Sequence, residues 1–262
     1  MRPRVPSLAL RVSLSACLAF VVAVPVVAQT PATPQRDPQA VAILGQTFGL
    51  MVASGPAVTD AVATGTITLS DGTSGSLTLK TIGPNYLRSE ISANGQQLII
   101  NFNKFQGYTV QGGSNYTLPF SLTKYARPTF IPSFSKLADY IQPNMNLVYV
   151  GIETLNTLSV YHIHMWALPT DGTPSALEAI MSDVHFYINT QTGLLVKTTT
   201  LLISPAAIEN HVPLDTYFDN VQQIGPLMVP FHITEFLRGQ KFNEITLSSV
   251  QLNTGLTASN FQ

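Results

Sequence analysis

Between residues 59 and 111 the chain alternates apolar and polar side chains in short runs, and each run ends at a turn dipeptide. TDAVATGTITLS leads through DGTSG into GSLTLKT; YLRSEISA then passes through Asn94-Gly95 into QQLIINFN. Period-two alternation broken by Asp-Gly and Asn-Gly marks β-hairpins, because these residues supply the positive φ that a tight turn needs. The pattern predicts an antiparallel meander with one apolar face and one polar face.

The same pattern recurs downstream. Residues 107–111 give a fifth strand, ended by Gly112-Gly113. LVYVGIE pairs with TLSVYHIHMWAL across residues 154–156, VHFYI pairs with LLVKTTTLL across NTQTG, and residues 216–223, 228–237 and 244–252 complete the set. Asp37-Pro38 opens a helix with a capping carboxylate and a proline at its first position. Val41, Leu44, Phe48, Met51 and Val52 carry it at helical spacing to Ser54, before Gly55-Pro56. Its polar side is almost uncharged, so it is expected to pack on the sheet. Ser175 and Glu178 have capping-box spacing for a further short helix.

Residues 115–146 are the least regular, with Pro119, Pro128, Pro132 and Pro143 spread through them and a short amphipathic helix predicted over residues 133–141. An excursion of this length in a β domain is expected to cover the sheet. The resulting fold class is mainly β with a few helices. It is a curved antiparallel sheet of about 10–11 strands forming an incomplete barrel, covered by an N-terminal helix and short helices.

Residues 1–28 read as a cleavable signal peptide, with Arg2, Arg4 and Arg11 ahead of an apolar run ending near Ala28. Leu14-Ser15-Ala16-Cys17 resembles a lipobox, but most of the apolar run follows Cys17, so cleavage after Ala28 fits better than a lipid anchor. Cys17 is the only cysteine. A mature exported chain would then lack disulfides and depend on a packed core. Residues 29–37 read as a poorly ordered tether, and residues 38–262 as one domain. The expected location is the periplasm or the exterior.

Net charge is −1 and only 10% of residues are charged, against about 25% in a typical domain. That leaves no basic patch for phosphate neutralisation, and no nucleic-acid partner is expected.

Taken strand by strand, the alternation puts Leu77, Leu79, Leu87, Ile91, Leu98, Ile100 and Phe102 on one side. Tyr161, Ile163 and Met165, then Val184, Phe186 and Ile188, then Val229, Phe231 and Ile233 continue it. Ser76, Thr78, Lys80, Arg88, Glu90, Asn101, Asp183 and Asn189 take the other side. The apolar side is either ordinary core packed against the helices or the wall of a cavity for an acyl chain. On the second reading, all of these residues except Val184 and Val229 are the candidate ligand-binding residues.

Signals for other chemistry are weak. His162 and His164 share a strand face with His185 on a neighbouring strand, a seed for a metal site, but solvent-facing strand histidines are the expectation and no metal is assigned. Asp219 and Glu235 read as strand-face charges rather than a carboxylate pair. No nucleophile elbow, phosphate loop or dinucleotide fingerprint occurs, so neither an enzyme nor a cofactor is expected.

The order of a helix, ATGTITLSDGTSGSLTLKTIGPNYLRSEI and QLIINFNKFQGYTV resembles the opening of the LolA/LolB-like periplasmic lipoprotein-sorting proteins. GIETLNTLSVYHI, FYINTQTGLLVKTTT and the closing VPFHITEFLRGQKFNEITLSSVQLNTGLTASNF are similar to later hairpins of that family. The resemblance implies a half-barrel with an apolar concave face, a lipid or acylated lipoprotein as ligand, and a non-enzymatic role in the envelope. The family's carriers have an arginine just before the proline that ends an early strand; here Gly83 precedes Pro84, and Arg88 lies one strand later. A protein-interaction or envelope-sensor domain is the alternative. An outer-membrane barrel is a weaker one, opposed by the helix and the proline-rich excursion.

Overall fold

The computed structural model describes residues 33–104, 106–171, 173–204 and 207–262. The signal peptide and lipobox readings, and the first residues of the tether, lie outside them.

Thirteen strands form one antiparallel sheet. Strands β1 (Asp60–Leu69), β2 (Ser74–Ile82), β3 (Tyr86–Ala93), β4 (Gln96–Asn103), β5 (Gln106–Gln111) and β6 (Ser114–Thr117) step outward in sequence order. The chain then crosses to the opposite edge. Strands β7 (Met145–Leu155), β8 (Leu158–Ala167), β9 (Val184–Asn189), β10 (Leu195–Ser204), β11 (Ala207–Ile224), β12 (Leu227–Leu237) and β13 (Gln240–Leu252) step back until β13 pairs with β1. Strands β6 and β7 are the two free edges, so the sheet is an incomplete barrel and not a closed one. Its apolar side is concave and its polar side faces outward, the reverse of a transmembrane barrel. No helix among the described residues is long and apolar enough to cross a membrane.

The expected 10–11 strands undercount the sheet. The strand most easily missed is β6, four exposed residues (SNYT) inside the segment read as irregular. Such a short edge strand carries too little alternation to be recognised. The Asn94-Gly95 turn behaves as its sequence demands, with both residues at positive φ (50° and 74°).

Helix α1 spans Pro38–Met51, with the Asp37 carboxylate accepting from the amides of Gln39 and Ala40. It buries Ala40, Ile43, Leu44, Thr47 and Met51, so the face turned inward is rotated slightly from Val41, Phe48 and Val52, which flank it half-buried. The three residues preceding Pro38 are anchored rather than free. Asp37 donates to the Leu147 carbonyl at 2.9 Å and Leu147 to the Gln35 carbonyl at 2.7 Å, while Arg36 reaches the carbonyls of Tyr140 and Gln142 at 2.8 and 2.9 Å. This short parallel bridge covers part of the β7 edge.

The crossover between β6 and β7, residues 118–144, runs over the concave side. It comprises one helical turn, α2 (Phe120–Thr123), and two 3₁₀ segments, Pro132–Phe134 and Lys136–Ile141. The latter stand in place of the short amphipathic helix expected over residues 133–141. Phe130, Ile131, Phe134 and Leu137 are all buried in it. Helix α3 (Ser175–Ser182) lies between β8 and β9 and starts after Pro174 without a side-chain cap, so the expected capping box does not form.

Candidate functional site

Register shows which residues share a face. Leu77 pairs with Ile91 and Ile91 with Leu98, Ser89 with Ile100, and Leu87 with Phe102. On the other half, Tyr161 pairs with Ile188, Ile163 with Phe186 and Met165 with Val184. Directly opposed residues of an antiparallel pair point the same way, so all fourteen candidate residues stand on the concave side.

The concave side is used in two ways. A cavity of about 430 Å³ is lined by Leu77, Leu79, Leu87, Ile91, Ile100, Phe102 and Phe186 among the candidates. The other seven do not line it. Ile163, Met165, Ile188, Phe231 and Ile233 are buried in the same apolar cluster as Leu44, Phe130, Leu137 and Leu147, with Leu98 and Tyr161 packed at its margin. The bowl over β7 and β8 is thus filled by α1 and the crossover, whereas most of the candidates on β2–β4 face the open cavity.

The far wall comes from residues that alternation alone did not single out. Ser121, Leu122, Tyr125, Ala126, Arg127, Pro128, Thr129 and Lys136 of the crossover line it, with Thr198, Thr200, Thr216, Phe218 and Asn243 of later strands. Crossover residues have no period to read, so their placement was not legible.

Two ion pairs tie the crossover to the segment around α3, and a third braces it internally. The Lys124 ammonium donates to Glu178 at 2.7 Å, to Asp171 at 2.9 Å and to Thr173 at 3.1 Å. Burial works against that ammonium, but its bonds to Glu178 and Asp171 prevail and hold its pKa above the ordinary value. Tyr125 donates a short bond to the other Glu178 oxygen; burial first, and then that carboxylate, push the phenol far up. Arg127 pairs with Asp139 at 3.2 Å, where burial raises the carboxyl despite the guanidinium.

Besides Tyr125 and Arg127, the ionisable side chains Glu235 and Lys136 line the cavity. Glu235 is not the strand-face charge expected. It opposes Thr216 and Asn243 on the concave side and accepts from the Asn243 amide at 2.7 Å. Burial raises its pKa, and the Asn243 bond only partly offsets this. Its position was readable, since Glu235 continues the inward series Val229, Phe231, Ile233. Asp219 opposes His232 on the outer side, so the two carboxylates do not meet. Lys136 also lines the cavity and forms no ion pair among the described residues. Burial depresses it to about 8, against the pull of Asp139.

Arg88 does not enter the cavity. It lies on the outer face, 2.6 Å from Glu90, which also binds Lys80 at 2.9 Å. Gly83 sits in the β2–β3 turn at φ 51°. Neither supplies the arginine of the family's carriers; the arginine lining this cavity is Arg127.

The outer face is not uniformly solvated either. Asn101 and His162, placed there from sequence, are buried (0% and 8% exposed). Asn101 lies beneath a C-terminal 3₁₀ turn (Ala258–Phe261) and donates to the Phe261 carbonyl at 2.8 Å. His162 belongs to a chain of contacts across β7–β9. Glu153 bonds His162 at 2.6 Å, His162 bonds His185 at 2.7 Å, and Asp183 bonds His164 at 2.7 Å. Burial first, then the neighbouring His164, lower the His185 pKa to about 4.

No protein-family model and no curated protein matches the sequence. Solved structures do match. A LolA superfamily protein from Nitrosomonas europaea shares 13% identity at a TM-score of 0.54, over 85% of this chain and 97% of that one. A DUF1329 family protein from Desulfovibrio piger gives 13% and 0.53, over 87% and 98%. A candidate outer membrane lipoprotein-sorting protein domain from Vibrio parahaemolyticus gives 11% and 0.53, over 86% and 96%. With thirteen strands among the described residues open between β6 and β7 and a crossover laid over the apolar bowl, the chain shares the half-barrel fold of these structures.

Proposed function

We propose that this protein is a non-enzymatic envelope component that shelters a lipid, or the acyl chain of a lipoprotein, in the half-barrel. The observation that carries the reading is the cavity between Leu77, Leu87, Ile100 and Phe102 on one wall and the crossover on the other. Its volume of about 430 Å³ falls in the usual range for small-ligand sites, roughly 300–1,000 Å³. Each methylene buried there contributes about 0.8 kcal/mol, so ten contribute about 8 kcal/mol before ordering costs. Lys136, cavity-lining and without an ion-pair partner among the described residues, suits an anionic group at the head of such a chain. Export to the periplasm and a place in lipoprotein sorting are parts of the same proposal, supported by the reading of residues 1–28 and by the LolA-like fold.

The test is native mass spectrometry and lipid extraction of the mature protein purified without detergent, beside Ile100→Asp and Phe102→Asp. A co-purifying acyl lipid that both folded variants lose is the expected result. Folded variants that retain the lipid would show that the cavity is not its site.

A second reading, docking of an envelope protein partner, has its own observation. Val150, Ile152 and Leu158 are exposed (51%, 62% and 42%) on the free β7 edge and the adjoining start of β8, where an added strand would pair. Recovery of one stoichiometric protein partner, without lipid, from envelope extract would favour it.

A further inference from the structure

We propose that His164, Asp183 and His185 form a binding site for a zinc-type divalent metal ion on the convex face of the sheet, opposite the cavity. His164 and His185 are directly opposed across β8 and β9, and Asp183 immediately precedes β9. One ligand atom from each falls within 4.8 Å of the other two. Tetrahedral zinc with bonds near 2.0–2.1 Å needs ligand atoms about 3.3 Å apart, and the three side chains are partly exposed, with solvent on one side into which they can turn. The two imidazoles are borderline donors, and with one carboxylate they match zinc and its first-row neighbours rather than calcium or magnesium, which take all-oxygen sites.

The second argument is the proton arrangement that the flanking residues impose. The Glu153 carboxylate can only accept, so at 2.6 Å His162 must present Nδ1–H to it. His162 Nε2 lies 2.7 Å from His185 Nδ1, so one hydrogen bond joins the two rings. The remaining ring nitrogen of His185, Nε2, stands 3.6 Å from Asp183 Oδ1, a gap that an ion bound to both would bridge. The same relay is what a metal-binding histidine uses: its outer nitrogen donates to a partner that fixes its tautomer and raises its basicity. Here the partner is a second histidine backed by a carboxylate. A bound ion would clip β8 to β9 one strand from the free edge.

Zinc chloride is titrated calorimetrically into the mature protein, exported by its own leader, carrying no affinity tag and stripped with chelator. One equivalent is expected to bind and to raise the unfolding temperature. His164→Ala and His185→Ala should each weaken binding at least a hundredfold. Glu153→Gln, which touches no metal, should weaken it tenfold or more. Circular dichroism and melting of the metal-free variants, matching those of the metal-free parent, separate loss of the site from loss of the fold. No binding at micromolar zinc overturns the proposal. So does binding that survives in both histidine variants, which would assign the ion to His211 or His232 instead. Undiminished binding in Glu153→Gln overturns the relay.

Discussion

The Lys124 ammonium stands 2.7 Å from the Glu178 carboxylate, with side-chain exposures of only 9% and 2%. One residue belongs to the crossover and the other to α3, so this pair fastens the cover of the bowl to the body of the sheet. Removing Glu178 leaves the buried Lys124 ammonium with only the solvent-exposed Asp171 as its ion partner and strands the Tyr125 hydroxyl. Glu178→Ala should therefore cost about 3–5 kcal/mol in a urea unfolding experiment. The double replacement Lys124→Met with Glu178→Leu should recover most of it, because no stranded charge remains. A double variant as unstable as the single one would show that the pair matters for something other than its mutual neutralisation.

Glu235 makes the protein sensitive to pH. Its folded pKa is raised by burial, so the folded state prefers the protonated acid. That contribution is fully present below the ordinary glutamate value of 4.5 and is lost as pH rises through the folded pKa. Glu235→Gln removes the ionisation while still accepting from the Asn243 amide. Its new amide can also donate to Asn243 Oδ1, which is buried without a partner. The variant should melt higher than the parent at pH 8, and the difference should shrink towards zero near pH 4. A difference independent of pH would remove Glu235 as its source.

The C-terminal 3₁₀ turn acts as a plug on the outer face. Phe261 is fully buried and meets Tyr86 edge-on, with ring centroids 5.4 Å apart. Truncation to alanine opens a cavity and should cost about 3–5 kcal/mol. Asn101→Ala loses only the bond to the Phe261 carbonyl and should cost about 1–3 kcal/mol, most of it from the unsatisfied carbonyl. Equilibrium denaturation of the two variants checks the ranking.

Gly65 is required by contact rather than by φ. A β-carbon there would lie 2.2 Å from the Thr246 carbonyl oxygen, at the register shift where β1 meets β13. That pairing joins the two runs of strands into one sheet. Gly65→Ala should destabilise by about 1–3 kcal/mol, whereas Gly72→Ser, with open space around it and a solvated turn, should cost less despite its positive φ. Thermal melts of both variants decide the order.

Much of this was legible before any coordinates. Alternation at period two is a local property, and it places Leu77, Ile91, Ile100 and Phe102 on one face wherever the strands go. The same parity placed His162, His164 and His185 together on the other face, and it carried Glu235 inward as well, although an acidic residue at the end of an apolar series reads more readily as a surface charge. The turn residues Asn94 and Gly95 mark their hairpin for an equally local reason. What alternation cannot report is depth. Ile163 and Ile100 obey the same pattern, yet one is core and the other lines a cavity. That difference depends on where α1 and the crossover settle, and their docking rests on Arg36 and Lys124 finding partners distant in the chain.

The sequence by itself determined the class of sheet, the face of nearly every strand residue and the start of α1, because each follows from backbone periodicity and nearest-neighbour chemistry. Only the tertiary structure decided which part of the apolar bowl is filled and which is left open, and that Glu153, His162, His185 and Asp183 touch in series. Those outcomes depend on packing between segments distant in the chain, where the free energy of burial is set by the fit of whole surfaces and not by any local pattern.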